Sequence, residues 1–113
     1  MITPDKNIYK GSYYNNLEIS SPAAYSVSKN AVIALTKYLV SYWEEHNIRV
    51  NSISPGKIYS GQNETFVSKY FNKVPLSRMA KKNYVLGLAI FLASDVFSYI
   101  TGQNIEVDKG LSL

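Results

Sequence analysis

The feature that most constrains the fold is a long stretch, residues 22–46, that contains no glycine and no proline after its first position. Alanine, leucine, lysine and glutamate are frequent in it, so it is predicted to form one helix. Polar residues recur on one narrow stripe, at Ser26, Asn30, Lys37, Ser41 and Glu45. Apolar residues cover most of the remaining circumference, at Val27, Ala31, Val32, Ala34, Leu35, Tyr38, Leu39 and Tyr42. Because an ordinary surface helix has a single apolar stripe, this helix is expected to be covered by a sheet and by another helix or subunit.

After this helix, predicted strands and helices alternate. Residues 48–54 carry apolar side chains at alternate positions, which indicates a strand that ends at Pro55-Gly56. The later predicted elements are a helix over 64–72, a helix over 83–93 that stops at Ser94-Asp95, and a strand over 104–107. This order is typical of α/β folds, whose sheets are usually parallel with helices on both faces.

The predicted elements supply only part of such a sheet. A doubly wound dinucleotide-binding fold consists of two βαβαβ halves, and at most one is visible here. No G-x-G-x-x-G motif or spaced variant occurs in the 113 residues. The expected fold class is therefore α/β, as one half of a doubly wound parallel sheet that is truncated.

Residues 1–21 have a turn-like composition and no sustained periodicity. They are predicted to be a loop or a truncated leader, and residues 22–113 are predicted to form the domain itself. The leader ends in Ser20-Ser21-Pro22, where Ser21 is a suitable N-cap and Pro22 suits the first helical turn.

Near the start of the long helix, Tyr25 and Lys29 are one helical turn apart. Residues four apart lie on the same face of a helix, so the phenol hydroxyl and the ammonium can approach one another. An adjacent cation favours the ionised form of a phenol, and such a pair could exchange protons near neutral pH. Taken alone, a tyrosine and a lysine at this spacing are more often an ordinary contact on the helix surface.

Composition excludes several other kinds of site. The sequence has no cysteine and a single histidine, His46, so disulfides, cysteine-rich zinc sites and histidine clusters are excluded and no metal is expected. The net charge is +4, but apart from Lys81-Lys82 near Arg78 the lysines are scattered, so no nucleic-acid partner is expected. No apolar run reaches the roughly 20 residues of a membrane span, and the first residues are too polar for a signal peptide. No membrane partner is expected, and the predicted location is cytoplasmic.

Five motifs occur along the chain in a characteristic order and spacing. The motifs are Tyr25-x-x-x-Lys29, Asn47-Ile48-Arg49-Val50-Asn51-Ser52-Ile53-Ser54-Pro55-Gly56, Pro75-Leu76-Ser77-Arg78, Leu92-Ala93-Ser94-Asp95, and Tyr99-Ile100-Thr101-Gly102-Gln103-Asn104-Ile105-Glu106-Val107-Asp108-Lys109-Gly110. Together they resemble the carboxy-terminal part of the short-chain dehydrogenase/reductase family. The resemblance covers residues 22–113 and implies the carboxy-terminal half of a Rossmann-like fold.

The resemblance implies an NAD- or NADP-dependent oxidoreductase acting on a small alcohol or carbonyl substrate. Tyr25 would be the general acid/base, and Lys29 would assist it and hold the nicotinamide ribose. Pro55-Gly56 would let the backbone pass close to the nicotinamide, and Ile58 and Ser60 would face its carboxamide. Ser60 stands where the family usually has threonine, and it keeps the hydroxyl. Since the glycine-rich phosphate loop is absent from the sequence, the isolated chain is expected to bind NAD(P) weakly or not at all.

Three further positions depend on the same resemblance. Ser12 lies at a compatible distance before Tyr25 for the family's active-site serine, but no apolar strand precedes it, so it is interpreted as a loop serine whose counterpart lies upstream of Met1. Lys109 replaces the first glycine of the family's Val-Asp-Gly-Gly segment, where close backbone packing is then in doubt. Residues 57–80 correspond to the substrate loop, whose aromatic residues either line a pocket or pack, namely Tyr59, Phe66, Tyr70 and Phe71.

A hypothesis of another class stays open. The chain could be a non-catalytic remnant whose broadly apolar helix, residues 22–46, serves association with an amino-terminal chain or with other copies of itself. The same helix makes a homo-oligomer the expected assembly.

Overall fold

The computed structural model describes residues 5–14, 17–18 and 21–112. Its helices are α1 (Lys6–Tyr9), α2 (Ala23–Tyr42), α3 (Glu64–Phe71) and α4 (Leu86–Ala93), with 3₁₀ turns at Glu44–His46, Lys82–Tyr84 and Asp95–Phe97. Its strands are β1 (Tyr13–Tyr14), β2 (Leu17–Glu18), β3 (Ser52–Pro55) and β4 (Asn104–Val107). Among the described residues, no helix combines the length and the apolar character needed to span a bilayer.

The predicted long helix is present as α2, although its first turn differs from the prediction. Pro22, and not Ser21, is the N-cap, and no side chain caps the helix there. The proline has extended backbone angles, so the helix begins one residue later, at Ala23. The 3₁₀ turn then ends at Asn47, whose positive φ of 53° stops the helical path. Thr36 is the buried residue of α2, so the apolar face that was expected to be covered is exposed in this chain.

The parallel pairing expected of an α/β fold is present between β3 and β4. Ser52 lies opposite Asn104, and the register continues to Pro55 opposite Val107. The predicted strand 48–54 was wrong at both ends, because pairing begins at Ser52 and includes Pro55. The prediction for 104–107 is confirmed.

Before β3, side chains make several of the hydrogen bonds that backbone groups make in a regular strand pair. This explains why β3 begins later than predicted. The Val50 amide donates to the Thr101 hydroxyl at 3.1 Å, and the Gly102 amide donates to the Val50 carbonyl at 2.7 Å. The Asn51 side chain donates to the Ile100 carbonyl at 3.0 Å and accepts from the Gln103 amide at 3.0 Å. Side chains therefore make three of these four hydrogen bonds before β3, a pattern that alternating hydropathy does not reveal.

Arg49 joins this sheet to the end of α4. Its guanidinium donates to four carbonyls at the end of the helix and in the turn that follows it, where the last carbonyls of a helix need partners from outside the helix. The acceptors and distances are Leu92 at 2.6 Å, Ser94 at 3.3 Å, Phe97 at 3.2 Å and Ile100 at 3.5 Å. A cation at a helix carboxyl terminus also interacts favourably with the helix dipole, so one side chain fixes α4 against the strands.

The two predicted later helices are present with adjusted bounds. Asn63 caps α3 by accepting from the Phe66 amide at 2.8 Å, and the helix ends at Phe71, one residue before the predicted end. The helix predicted over 83–93 consists of the 3₁₀ turn Lys82–Tyr84 followed by α4. Ser94 ends α4 as predicted, and the 3₁₀ turn after it was not predicted.

Part of the amino-terminal segment forms regular secondary structure, although a loop was predicted there. Asp5 caps α1 by accepting from the Asn7 amide at 2.8 Å, and β1 pairs with β2 as a hairpin. Ile8 and Tyr9 of α1 pack on the buried cluster under α3, whose members are Phe66, Tyr70, Val74 and Met79. The loop prediction was wrong for these residues because a side-chain cap and tertiary packing stabilise a helix too short to be recognised by periodicity. Residues 1–4, 15–16 and 19–20 of the predicted loop lie outside the described residues, and the domain division at residues 21 and 22 stays a prediction.

Candidate active site

The Tyr25 and Lys29 side chains meet on the first turns of α2. The Lys29 ammonium lies 5.4 Å from the centre of the Tyr25 ring, in cation–π geometry. Tyr25 is 51% exposed, and its amide donates to the Pro22 carbonyl at 3.0 Å in the first helical turn. The helix therefore presents a phenol with an adjacent ammonium on an accessible surface.

The Pro55-Gly56 turn lies where β3 ends. The Gly56 amide donates to the Val107 carbonyl at 3.1 Å, so the turn remains attached to β4. A Cβ at position 56 would lie 3.0 Å from the Asp108 Cα and 3.1 Å from the Tyr70 hydroxyl oxygen. A side chain here would force its neighbours to shift by a few tenths of an ångström, so this close approach favours glycine. The carboxyl ends of parallel strands are the usual ligand-binding edge of an α/β sheet.

The Tyr70 side chain contacts this turn through its hydroxyl group, a contact that the sequence did not predict. It is 2% exposed, and its hydroxyl oxygen accepts from the Lys57 amide at 3.0 Å. Burial raises the pKa of the Tyr70 phenol, with a smaller rise from Asp108, and these outweigh the lowering by the Lys57 amide bond. The spacing of Phe66 and Tyr70 by one turn was the available signal. Both are buried in the core, so for these two aromatic residues packing is the observed role.

Ile58 and Ser60 are bridged by the side-chain amide of Gln62. The Gln62 Nε2 donates to the Ile58 carbonyl at 3.1 Å and to the Ser60 Oγ at 2.9 Å. Its Oε1 accepts from the Ser60 amide at 2.8 Å. Ile58 and Ser60 therefore offer one donor and two acceptors to a primary carboxamide. In this chain the Gln62 side chain is that carboxamide. Sequence reasoning missed Gln62.

A shallow open cavity adjoins this bridge, with a volume of about 350 Å³. Of the aromatic residues of the predicted substrate loop, Tyr59 and Phe71 line it. Its other lining residues are Gln62, Glu64, Val67, Ser68 and Asn72. The pocket alternative therefore describes Tyr59, and the packing alternative describes the two buried rings. Phe71 fits both alternatives, because it lines the cavity and also packs against the buried cluster.

The predicted residues form two groups. Tyr25 and Lys29 are together on α2, and the other group, Pro55 to Ser60, follows β3, against which α2 packs. Among the hydrogen bonds and ring contacts of residues 5–14, 17–18 and 21–112, none joins one group to the other. Ser12 is 1% exposed, and its hydroxyl lies 3.4 Å from the Asn63 Oδ1 at the start of α3. Within the described residues, no three carboxylate or histidine side chains gather as metal ligands.

Comparisons with known proteins agree with this architecture. A family model described as enoyl-(acyl carrier protein) reductase matches residues 4–112. A D-arabinitol 2-dehydrogenase from Candida tropicalis is 38% identical over 94 residues, which is 76% of this chain and 33% of that protein. A 3-oxoacyl-[acyl-carrier-protein] reductase from Thermotoga maritima is 40% identical over 91 residues, which is 77% of this chain and 37% of that protein. The chain thus spans about a third of the length of these curated relatives.

Solved structures give the same family. A short-chain dehydrogenase from Leptospira borgpetersenii with bound NAD⁺ superposes with a TM-score of 0.81 at 36% identity, over 95% of this chain and 42% of that one. A 4-hydroxyisoleucine dehydrogenase complexed with NADH superposes with a TM-score of 0.75 at 33% identity, over 83% of this chain and 42% of that one. The parallel β3–β4 pair with its flanking helices is thus part of an α/β fold of the Rossmann type. On the family match and these similarities, the chain belongs to the short-chain dehydrogenase/reductase family.

Proposed function

We propose that this chain supplies the proton-transfer pair and the nicotinamide-contacting loop of an NAD(P)-dependent oxidoreductase acting on a small alcohol or carbonyl compound. The observation that carries the proposal is the pairing of Tyr25 with Lys29 on an accessible helix surface. Tyr25 would exchange a proton with the substrate oxygen, and Lys29 would stabilise the ionised phenol and hold the nicotinamide ribose. When bound, the nicotinamide would supply or accept the hydride.

The loop after β3 fits a nicotinamide. Its carboxamide needs acceptors for the NH₂ group and a donor for the carbonyl oxygen. The Gln62 side chain is itself a primary carboxamide, and it binds the Ile58 carbonyl, the Ser60 Oγ and the Ser60 amide. Ile58 and Ser60 would therefore hold the nicotinamide amide once Gln62 has turned away. Pro55 and Gly56 would bring the backbone close to the ring.

The experiment compares two proteins: the chain as printed, and the same chain preceded by any in-frame residues that its gene encodes before Met1. NADH and NADPH are titrated into each, and nicotinamide fluorescence is followed. Because no glycine-rich phosphate loop occurs in the printed sequence, saturable binding is expected in the longer protein, with weak or no binding in the shorter one. Absence of binding and turnover in both would overturn the proposal. The titration also decides between NAD and NADP.

Variants then test the proton-transfer pair in whichever protein turns over a panel of polyols, secondary alcohols and 3-oxoacyl thioesters. Tyr25→Phe is expected to lower kcat by about 100-fold or more while NADH still binds, since general acid/base catalysis contributes factors of about 10² to 10⁴. Tyr99→Phe is the control, because Tyr99 is a fully exposed tyrosine outside α2. Full turnover by Tyr25→Phe would contradict the assigned role.

A second function is favoured by the exposed apolar face of α2. Leu35 is 52% exposed and Tyr38 is 62% exposed, and a helix with such a face is suited to association with another chain. The alternative is therefore a non-catalytic remnant that acts through subunit association, with a homo-oligomer as the expected assembly. Tight, saturable NADH binding by a folded monomer of the printed chain, with mass measured by light scattering, would exclude this alternative. A cytoplasmic location stays part of the proposal.

A further inference from the structure

Lys109 has an unusual backbone conformation for a residue with a side chain. Its φ is 62°, in the left-handed region that favours glycine. The sequence places it directly after Asp108, in the segment that leaves β4. The contacts of the lysine side chain are therefore the first place to look for what this position does.

The Lys109 ammonium makes that interaction with a distant segment. It donates to the Arg78 carbonyl at 2.9 Å and to the Met79 carbonyl at 2.6 Å. The ammonium also lies 5.4 Å from the centre of the Tyr84 ring. Met79 is 7% exposed, so one of the two carbonyls belongs to a buried residue. The side chain thus ties the end of β4 to residues 78–79.

The residue after this anchored pair is bonded to the candidate cofactor loop. Ala80 is buried and forms a parallel bridge with Ile58. The Ala80 amide donates to the Lys57 carbonyl at 3.0 Å, and the Tyr59 amide donates to the Ala80 carbonyl at 3.0 Å. The Ala80 backbone therefore holds both neighbours of Ile58. Lys109 is hydrogen-bonded to Arg78 and Met79, the peptide chain leads from Met79 to Ala80, and Ala80 is hydrogen-bonded to the backbone on either side of Ile58.

We propose that Lys109 is a positioning residue for the nicotinamide-contacting loop. Its ammonium holds residues 78–80 in place, and they in turn hold residues 57–59 in the shape that presents Ile58 and Ser60. This inference rests on the proposed function for the contact with the cofactor. The link between Lys109 and the loop backbone is measurable without any cofactor.

Amide hydrogen exchange of the printed chain, followed by NMR, tests the link. Lys109→Met keeps the unbranched stem but has no donor, and Lys109→Gly also removes the restriction on φ. Both are expected to speed exchange of the Tyr59 and Ala80 amides by about 10-fold or more, while the Ser52 and Gly102 amides in the β3–β4 region are unchanged. Lys82→Met is the control, because Lys82 is an exposed lysine on the neighbouring 3₁₀ turn.

Each outcome decides the proposal. Protection of Tyr59 and Ala80 that survives in Lys109→Gly would show that the ammonium does not hold the loop, and the proposal would be overturned. Faster exchange of all amides together would show general destabilisation and would overturn it as well.

NADH affinity separates a positioning role from a merely structural one. In the protein that binds NADH, the two Lys109 variants are expected to weaken binding by about 5-fold or more, and Lys109→Arg, which keeps donors for the carbonyls, is expected to restore much of it. Unchanged NADH affinity despite faster exchange would overturn the positioning role. Absence of NADH binding by the parent protein is a failure of the proposed function, and the exchange result would still report on the Lys109 link.

Discussion

The β3–β4 region and α2 differ in how much of their surroundings this chain supplies. Around the strands, Arg49, Asn51 and Asn104 bond to partners within the same region or to the end of α4. On α2, Thr36 is buried, whereas Val27 is 68% exposed and Tyr42 is 65% exposed. The polar groups of the two strands therefore have partners within this chain, whereas most of the long helix is exposed.

This difference helps to separate structural motifs from functional ones. The segments Asn47 to Gly56 and Tyr99 to Gly110 are bonding partners of each other, so their polar residues have a structural explanation. Tyr25 and Lys29 contact one another at an accessible surface, and that contact is too weak to explain a catalytic-looking pair by stability alone. We therefore propose function as the explanation for that pair, whereas structure accounts for the polar residues of the other two segments.

The largest expected effect concerns Arg49. Arg49→Met removes a cation that serves four carbonyls at the end of α4 and in the turn after it, three of which keep another hydrogen-bond donor. We expect a loss of about 3 kcal/mol in the free energy of unfolding, since hydrogen bonds to charged groups contribute about 1.5 to 3 kcal/mol each and are not additive. Urea unfolding measures it. Lys37→Met, an exposed cation of α2, is the control and is expected to change stability by under about 0.5 kcal/mol. Equal losses of unfolding free energy in the two variants would contradict the difference between the β3–β4 region and α2.

The next effect concerns two glycines in different surroundings. Gly56→Ala would place a Cβ 3.0 Å from the Asp108 Cα, so we expect a loss of about 1 to 3 kcal/mol from overpacking. Gly87, inside α4, would place its Cβ in open space, so Gly87→Ala is expected to stabilise the chain by about 0.5 to 1 kcal/mol. The midpoints of urea unfolding give both values. A neutral Gly56→Ala would mean that the β3–β4 exit is less tightly packed than the structure shows.

The sequence predicted the regular elements well where periodicity or end signals were strong. The long helix, the strand 104–107 and the helix predicted over 64–72 all follow from local rules. The start of β3 was not predictable in this way, because Asn51 and Thr101 form its first bonds across a separation that sequence patterns do not encode. The order of residues 5–14 also depends on tertiary packing against α3.

The candidate site was predicted less completely. Tyr25, Lys29 and the Pro55-Gly56 turn have local sequence signals, whereas the contributions of Gln62 and Tyr70 become visible only once the loop is folded. Gln62 binds residues two and four positions before it through a turn whose geometry no periodicity describes. Tyr70 contacts Lys57 because α3 folds back under the end of β3. These contacts depend on tertiary structure, so a motif search would not find them.

The smallest expected effect concerns the exposed face of α2. It tests most directly whether α2 differs from the β3–β4 region in being left uncovered. Val27→Thr replaces a methyl group by a hydroxyl at a position that is 68% exposed, so we expect a change of under about 0.5 kcal/mol in the unfolding free energy of the monomer. Leu92→Ala, at a position 8% exposed, is the contrasting control and is expected to cost about 2 to 5 kcal/mol.

Urea unfolding of Val27→Thr at several protein concentrations shows what covers this face. If a second copy of the chain covers it, the destabilisation grows with protein concentration, because association stabilises only the folded state that it binds. If the cost is over about 1 kcal/mol and independent of concentration, the chain covers its own helix, and the difference between α2 and the β3–β4 region does not hold. A small and concentration-independent effect instead means that the apolar face of α2 has no partner in this chain, and its partner must then be sought in residues beyond those printed or in another protein.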